Sequence, residues 1–313
     1  MKSFTVGKSD DGQRLERLLL KQFPALPRSL MFKEIRKKNI KVNKKRCEAS
    51  YEVHAGDLIE LYLKDDVLAE REKYYDFMRA PKTLDVIYED KNLLLINKKA
   101  GVLCHPDGGE YVNTLISSVK RRLFENGELD PEASSFTPAL ANRLDRNTGG
   151  IIIAAKNAAA LKELNLAIKE RRIEKHYLAA VYGAFDKASD TLTAYITKNE
   201  KTNTVSVFDS EISSAKKIIT KYTVLDSYGG ISLVDIDLIT GRTHQIRAHM
   251  AHIGHPLMDD GKYGKNAGRY RQALCSYRLI FGGGFDMLAY MQGREFTLEN
   301  CEILTKFKER RYK

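Results

Sequence analysis

The residues best suited to chemistry lie in the short segment Arg143-Leu144-Asp145-Arg146, in which an aspartate is flanked by two arginines. A β-branched run from Ile151 to Ile153 follows it and predicts a buried strand. A carboxylate beside cations stays ionised, and a neighbouring strand can hold it in a fixed orientation. Asp145 could therefore serve as a nucleophile or base. The same residues would equally well form an ordinary surface ion-pair turn, and this segment alone does not distinguish the two.

A longer stretch around Asp145 resembles the catalytic signature of the RluA family of RNA pseudouridine synthases. That signature is usually His-Arg-Leu-Asp-x-x-Thr-Ser-Gly followed by an aliphatic strand and Ala-Lys. The chain has Arg143, Asp145, Thr148 and Gly150 in register, and Asp145 stands where the family has its essential aspartate. The two departures are Asn142 in place of His and Gly149 in place of Ser.

Two later segments resemble further family signatures. Residues 175–183 resemble the family's strand Lys-x-Tyr-x-Ala-x-Val-x-Gly. Residues 241–264 resemble the segment that contains the arginine with which the family pairs its catalytic aspartate. The resemblance implies that Tyr177 stacks on the target base, as an extruded pyrimidine requires, and that Arg247 pairs with Asp145 and keeps it ionised. Without the resemblance, the aromatic strand would indicate core and the arginine a surface or helix-dipole charge.

An earlier segment, residues 97–106, resembles the family's Asn-Lys-Pro-Ala-Gly-x-x-x-His-Pro loop, with Lys99 in place of Pro. The family places this loop near the active-site cleft, although its polar residues would also suit a plain surface loop. The resemblance thus implies catalytic roles for Asp145, Tyr177 and Arg247. The residues that it implies for substrate binding are Arg143, Thr148, Lys98, His105, Arg242, Thr243, His244 and Gln245.

The charge of the chain favours a polyanionic partner. Its 313 residues include 52 Lys and Arg against 41 Asp and Glu, which gives a net charge of +11. Residues 28–46 contain nine basic side chains and one acidic side chain. Because like charges on a compact unit repel one another, a phosphate partner explains this stretch better than a solvated face does.

The same region resembles an S4-like RNA-binding domain. The resemblance is carried by Arg14-Leu15, Pro27-Arg28-Ser29, residues 40–43 and residues 53–59. It implies binding of structured RNA without catalysis. The residues expected to contact RNA are Arg28, Ser29, Lys33, Arg36, Lys37, Lys38, Lys41, Lys44 and Lys45.

Several other functions lack a sequence signal. The four cysteines are widely spaced and no pair has zinc-ligand spacing, so we expect no metal and a reducing compartment. No phosphate-cradling glycine loop or nicotinamide fingerprint is present, so we expect no cofactor. The first residues lack the apolar core of a signal peptide, and no apolar run reaches the ~18 residues of a membrane span. We expect a cytoplasmic protein, a monomer, that binds neither membrane nor DNA.

The expected fold class is α+β. The resemblance implies a pseudouridine synthase fold, with a mixed, largely antiparallel sheet and flanking helices, preceded by a small S4-like α/β module. The expected boundaries are 1–64 for the module, 65–81 for a linker and 82–313 for the catalytic domain. Residues 84–97 read as a hairpin. Ser29, Thr114, Asn157 and Thr243 are predicted to cap helices.

The implied reaction is conversion of uridine to pseudouridine in structured RNA. In this isomerisation the glycosidic bond to nitrogen 1 of uracil is cut and remade to carbon 5. Large-subunit ribosomal RNA is the expected substrate and transfer RNA is the runner-up. Whether Asp145 attacks carbon 1 of the sugar or removes the proton on carbon 2 of the sugar stays open.

The competing hypothesis is a non-catalytic RNA-binding or ribosome-assembly protein that retains the fold, for which Asn142 and Gly149 are the main support. An aspartate-dependent hydrolase would need a base–nucleophile pair or a metal site that the sequence lacks.

Overall fold

The computed structural model describes residues 2–7, 10–23, 26–63, 75–132, 136–200, 202–264 and 271–312. The chain forms two compact units, Met1–Tyr75 and Asp76–Lys313. The division falls within the predicted linker 65–81, of which residues 65–74 lie outside the described residues. The exact boundaries 1–64, 65–81 and 82–313 therefore stay a prediction.

The first unit, within its described residues, is an antiparallel sheet with two helices. Its elements are β1 (Lys2–Thr5), α1 (Leu15–Gln22), α2 (Arg28–Arg36), β2 (Ile40–Val42), β3 (Lys45–Arg46) and β4 (Leu58–Leu61). The strands pair in the order β1-β4-β2-β3. Leu15 and Leu19 of α1 pack with Met31 of α2 and Ile59 of β4 in one buried cluster. The apolar side of each helix is thus used by the core, which leaves the basic side chains outside.

The predicted cap at Ser29 is wrong. Helix α2 begins at Arg28, directly after Pro27, and has no side-chain capping hydrogen bond. The φ of Pro27 is −61°, close to the helical value, so the proline starts the helix early and places Ser29 inside its first turn.

The second unit is built on a large sheet flanked by helices. Its strands are β5 (Val86–Glu89), β6 (Leu93–Lys98), β7 (Ala139–Leu140), β8 (Gly149–Ala155), β9 (Ile173–Tyr182), β10 (Ser189–Asn199), β11 (Thr204–Phe208), β12 (Lys216–Tyr228), β13 (Ile231–Asp237), β14 (Leu274–Phe281) and β15 (Glu295–Thr297). The helices are α3 (Leu115–Glu125), α4 (Ala158–Lys169), α5 (Gln245–His252) and α6 (Glu302–Lys308), with short 3-10 helices at Asp76–Arg79 and Ala289–Met291.

The strands pair in the order β11-β10-β12-β13-β9-β14-β8-β6-β5, with β15 beside β14 and β7 beside β8. Strands β8 and β14 run parallel, and the other pairings are antiparallel. The hairpin predicted over 84–97 is β5–β6. The expected mixed, largely antiparallel sheet with flanking helices is confirmed.

Strand β8 lies between β14 and β6 and is covered on both faces. Ile151 and Ile153 are fully buried in a cluster that contains Leu164 of α4, and Ile152 is fully buried on the other face with Val119 of α3. A strand covered on both faces needs apolar residues at every position, which explains the unbroken run. Burying each isoleucine contributes about 1.5–3 kcal/mol, so β8 is a rigid base for the segment that precedes it.

The helix caps agree with the sequence at two of three positions in this unit. The side chain of Thr114 accepts a hydrogen bond from Ser117 N, and that of Asn157 accepts one from Ala160 N, as predicted. The predicted cap at Thr243 is wrong. His244 precedes α5 with a left-handed φ of +53°, and this turn leaves Thr243 exposed and outside the helix.

Candidate active site

The segment that carries Asp145 is anchored on both sides. Before it, the amide of Asn142 receives a hydrogen bond from Ile153 N at 2.8 Å, and Leu144 is buried in the core. After it, buried Thr148 accepts a hydrogen bond from Gln272 Nε2 at 3.1 Å. The side chain of Asp145 remains 27% exposed between these anchors. The carboxylate is therefore fixed at its base and accessible at its tip.

Two glycines bring neighbouring backbone close behind this segment. Gly150 has a φ of +117°, and a Cβ there would lie 2.2 Å from the carbonyl oxygen of Ser276. A Cβ at Gly149 would lie 3.3 Å from the carbonyl oxygen of Lys98. Gly150 therefore permits the parallel contact of β8 with β14, which a larger residue would push apart.

Arg247 holds Asp145 and a second aspartate at once. Its Nη1 donates to Asp145 Oδ2 at 2.9 Å, so the predicted pairing is present. Its Nε and Nη2 donate to the two oxygens of Asp260 at 2.7 and 2.8 Å. Burial alone would raise the pKa of Asp260, but the hydrogen bonds and charge of Arg247 outweigh burial and lower it. The bidentate pair orients the guanidinium and leaves one edge for Asp145.

His244 lies on the same side of Asp145. Its Nε2 is 3.9 Å from Asp145 Oδ2, and its Nδ1 is 2.9 Å from the hydroxyl of Tyr263. That hydroxyl accepts a hydrogen bond from Val205 N, so its own proton can go to Nδ1. Burial is the largest of the influences that lower the pKa of His244. When Tyr263 donates to Nδ1, the neutral ring carries its proton on Nε2, toward Asp145.

These residues line one cleft with a volume of about 350 Å³. Tyr177 on β9 forms part of its wall, and burial raises the pKa of this phenol. The cleft brings together most of the residues expected from the sequence: Asp145, Tyr177, Arg247, Arg143, Thr148, Arg242, His244 and Gln245. An ionised carboxylate, an aromatic ring and several cations or hydrogen-bond donors thus meet in a space large enough for a nucleotide base.

Three expected residues do not line this cleft. Lys98 is 1% exposed, and its ammonium donates to the carbonyls of Lys99, Val102 and Arg146. Burial lowers the pKa of Lys98 to about 8. His105 is half-buried, and burial followed by the charge of Arg143 lowers its pKa. Thr243 is exposed. The contacts of Lys98 suit a role in positioning the Asp145 segment rather than in contacting substrate.

Sequence reasoning missed two residues that the structure places at the site. Asp260 was part of a matched segment, but nothing in its spacing marks it as the partner of Arg247. Lys175 lines the cleft two positions before Tyr177 on β9. Alternation along the strand could have identified Lys175, because residues two apart share one face.

The basic residues of the first unit are available to solvent. Arg28, Ser29, Lys33, Arg36, Lys37, Lys38, Lys44 and Lys45 are exposed, and Lys41 is half-buried with its ammonium 4.9 Å from the ring of Tyr62. Two of these cations are engaged within the unit, since Arg28 pairs with Glu16 and Lys37 pairs with Glu34. The others leave a positive surface of the kind that contacts phosphates.

Within the described ranges, no group of three or more His, Cys, Asp or Glu side chains is arranged to hold a metal ion. In the same ranges, no helix has the length and apolar character needed to cross a membrane.

Comparison with known proteins identifies the family of each unit. Residues 92–252 match the family model for RNA pseudouridylate synthase, and residues 13–59 match the S4 domain. The chain is 32% identical to ribosomal large subunit pseudouridine synthase C of Vibrio cholerae, over 81% of this chain and 77% of that protein. It is 33% identical to an uncharacterized RNA pseudouridine synthase of Mycoplasma genitalium, over 89% and 88% of the two chains.

A solved structure supports the fold. Human RNA pseudouridylate synthase domain containing 4 superposes with a TM-score of 0.58 at 18% identity, over 73% of this chain and 93% of that one. The family match covers β6 to α5, which includes Asp145, Tyr177 and Arg247. The chain therefore belongs to the RNA pseudouridylate synthase family and is an RNA pseudouridine synthase, an isomerase, with an S4 domain at its N-terminal end.

Proposed function

We propose that this enzyme isomerises specific uridines of large-subunit ribosomal RNA, with Asp145 as the essential nucleophile or base. The observation that carries the catalytic part is the placement of Asp145 between Arg247 and the open cleft, within reach of the same cavity as Tyr177. The ribosomal substrate is supported by the name of the Vibrio cholerae relative. The reaction would take place in the cytoplasm, with the protein acting as a monomer.

The geometry supports a division of labour between the two oxygens of Asp145. Oδ2 accepts from Arg247, while Oδ1 makes no hydrogen bond to any other described residue. Oδ1 is then the oxygen available to the sugar of a flipped-out uridine. Tyr177 would stack on the base, and Arg143, Thr148, Arg242, His244 and Gln245 would line the space around it.

Gln245 supports that space more than it offers new hydrogen bonds. Its side chain accepts from Thr240 Oγ1 and Arg242 N and donates to Ile219 O and Thr220 Oγ1. These bonds tie the turn before α5 to β12. Gln245 therefore positions Arg242 and His244 in the wall of the cleft.

The test is pseudouridine mapping of total cellular RNA in cells with and without this protein. Cells that lack it are complemented with the wild type or with Asp145→Asn, which keeps the shape of the side chain and removes its charge. We expect specific large-subunit sites to disappear and to return only with the wild type. The purified variant should be slower by at least about 10³-fold, because the reacting group itself is lost.

Other outcomes identify the alternatives. Lost sites in transfer RNA would retain the catalytic assignment and overturn the ribosomal one. Rescue by Asp145→Asn, or no lost sites at all, would overturn the role of Asp145 and leave a non-catalytic RNA-binding protein with this fold.

A further inference from the structure

Lys175 is a buried lysine in the wall of the cleft. It lies on β9 two residues before Tyr177, so the two side chains leave the strand on the same face. The residue is 8% exposed and lines the cavity that also contains Asp145 and Arg247. Its backbone oxygen accepts from Leu238 N, which pins this part of β9 to the end of β13.

The ammonium group of Lys175 has no hydrogen bond or ion pair to any of the residues that the structure describes. Two other buried cations near the site differ in this respect. Lys98 donates to three carbonyl oxygens, and Arg247 donates to Asp145 and Asp260. Burial lowers the pKa of Lys175, and Asp237 acts against this effect without forming an ion pair. The side chain is largely buried, but its ammonium is not among the fully enclosed polar atoms without a partner, so it opens onto the cleft. An unpaired ammonium there suits a partner that arrives with the substrate.

The reaction supplies such a partner. When the bond between carbon 1 of the ribose and nitrogen 1 of uracil breaks, the electron pair remains on the base and spreads to the carbonyl oxygens at positions 2 and 4. Arg247 cannot stabilise this charge without leaving its two carboxylates. Tyr177 would stack its ring on the base, and a hydrogen bond links its side chain to Ser276. The ammonium of Lys175 is free to donate.

We propose that Lys175 is a catalytic residue whose ammonium donates a hydrogen bond to a carbonyl oxygen of the flipped uracil and stabilises the departing base. The inference rests on the proposed function, since it assumes a uridine in this cleft. This hydrogen bond is strongest in the transition state, where negative charge develops on that oxygen. Such an interaction raises the rate of the reaction more than the affinity for RNA.

Atoms and electrons balance without a proton leaving Lys175. In one route, Asp145 bonds to carbon 1 of the ribose and departs when carbon 5 of uracil attacks that carbon. In the other route, Asp145 takes the proton from carbon 2 of the ribose and later returns it. The electron pair released to uracil forms the new bond from carbon 5 to carbon 1. The proton on carbon 5 is then lost and nitrogen 1 gains one, so the reaction is redox-neutral.

The first test compares Lys175→Gln with Lys169→Gln, which removes the same charge from the exposed end of α4. Single-turnover rates and dissociation constants are measured with an RNA fragment that carries the mapped site. We expect Lys175→Gln to slow the reaction about 10²-fold and to change RNA affinity less than about twofold. Lys169→Gln should change neither. If the Gln variant does not fold, Lys175→Met retains the alkyl chain and removes the buried charge.

The second test locates the contact by replacing oxygen 2 or oxygen 4 of the target uracil with sulfur, a weaker hydrogen-bond acceptor. At the oxygen that Lys175 contacts, sulfur should slow the wild type but slow Lys175→Gln no further. At the other oxygen, sulfur should have the same effect on both proteins.

Three results would overturn the proposal. One is a wild-type rate in the folded Lys175 variants. Another is a loss of rate matched by an equal loss of affinity with a weaker salt dependence, which would indicate a phosphate contact. The third is an effect of sulfur that is independent of Lys175 at both positions. Failure of the proposed function is distinct from all three, because the wild type would then form no pseudouridine.

Discussion

At the scale of single residues, the guanidinium of Arg247 lies between two carboxylates with different surroundings. The side chain of Asp260 is fully buried and also accepts hydrogen bonds from the backbone N–H groups of Lys262 and Tyr263. Asp145 is partly exposed and receives one bond from Arg247. Asp260 is thus the structural partner, and its removal should disturb Asp145 indirectly.

We predict that Asp260→Asn lowers activity about 10²-fold and the free energy of unfolding by about 3–5 kcal/mol, because buried Arg247 would lose its buried bidentate partner and keep only the partly exposed Asp145 as an opposite charge. The pKa of Asp260 is lowered in the folded state, so its contribution to stability is present above the usual carboxyl pKa and is lost as pH falls through the lowered value. Acid should therefore destabilise the wild type more than the variant.

Urea unfolding at several pH values and single-turnover assays measure both effects. Asp259→Asn is the matched control, since it makes the same change one residue away at a left-handed φ of +58° that Asn tolerates. Equal unfolding free energies for the Asp260 variant and the wild type at neutral pH would show that the buried pair does not support the site.

At the scale of secondary-structure elements, β8 could be predicted from its apolar run, but its neighbours could not. Its parallel partner β14 begins about 125 residues later, with Cys275 opposite Gly149, and no local pattern specifies that register. Asp260 was missed for the same reason, because it meets Arg247 only in the folded chain. Lys175 differs, since its alternation with Tyr177 along β9 is a local pattern that could have identified it. The helix starts at Ser29 and Thr243 were misplaced because Pro27 and the left-handed His244 act locally and outweigh cap preference.

The junction of β8 and β14 gives a prediction at the same scale. Gly150→Ala should lower the free energy of unfolding by more than about 4 kcal/mol, since its Cβ would overlap the backbone of Ser276 and separate the strands beneath Asp145. Gly127→Ala separates this clash from backbone strain, because Gly127 has a φ of +74° but nothing within 4 Å of an added Cβ. We expect Gly127→Ala to lower the free energy of unfolding by about 1–2 kcal/mol. Similar losses in the two variants, by urea unfolding, would contradict the close contact.

At the scale of the whole molecule, the candidate catalytic cleft and the basic surface lie in different units of the chain. The cleft lies entirely within Asp76–Lys313, whereas the stretch with nine basic residues lies within Met1–Tyr75. Lys33, Lys44 and Lys45 are exposed and form no ion pair with another described residue. Phosphate contacts set affinity without reading sequence, so we propose that these charges govern binding and leave the chemical step unchanged.

We predict that the triple variant Lys33→Gln, Lys44→Gln, Lys45→Gln binds its RNA more weakly and with a weaker dependence on salt. The logarithm of the association constant falls as the logarithm of the salt concentration rises. Each lost phosphate contact should make this slope shallower by about 0.7–0.9, or by about 2–3 for three contacts. The single-turnover rate at saturating enzyme should stay at the wild-type value. The control replaces Lys162, Lys169 and Lys308, which are exposed on α4 and α6, and makes the same change in net charge. If the control reduces the slope as much, the affinity follows overall charge rather than the S4 domain. If the triple variant loses rate at saturation, the first unit also contributes to the chemical step.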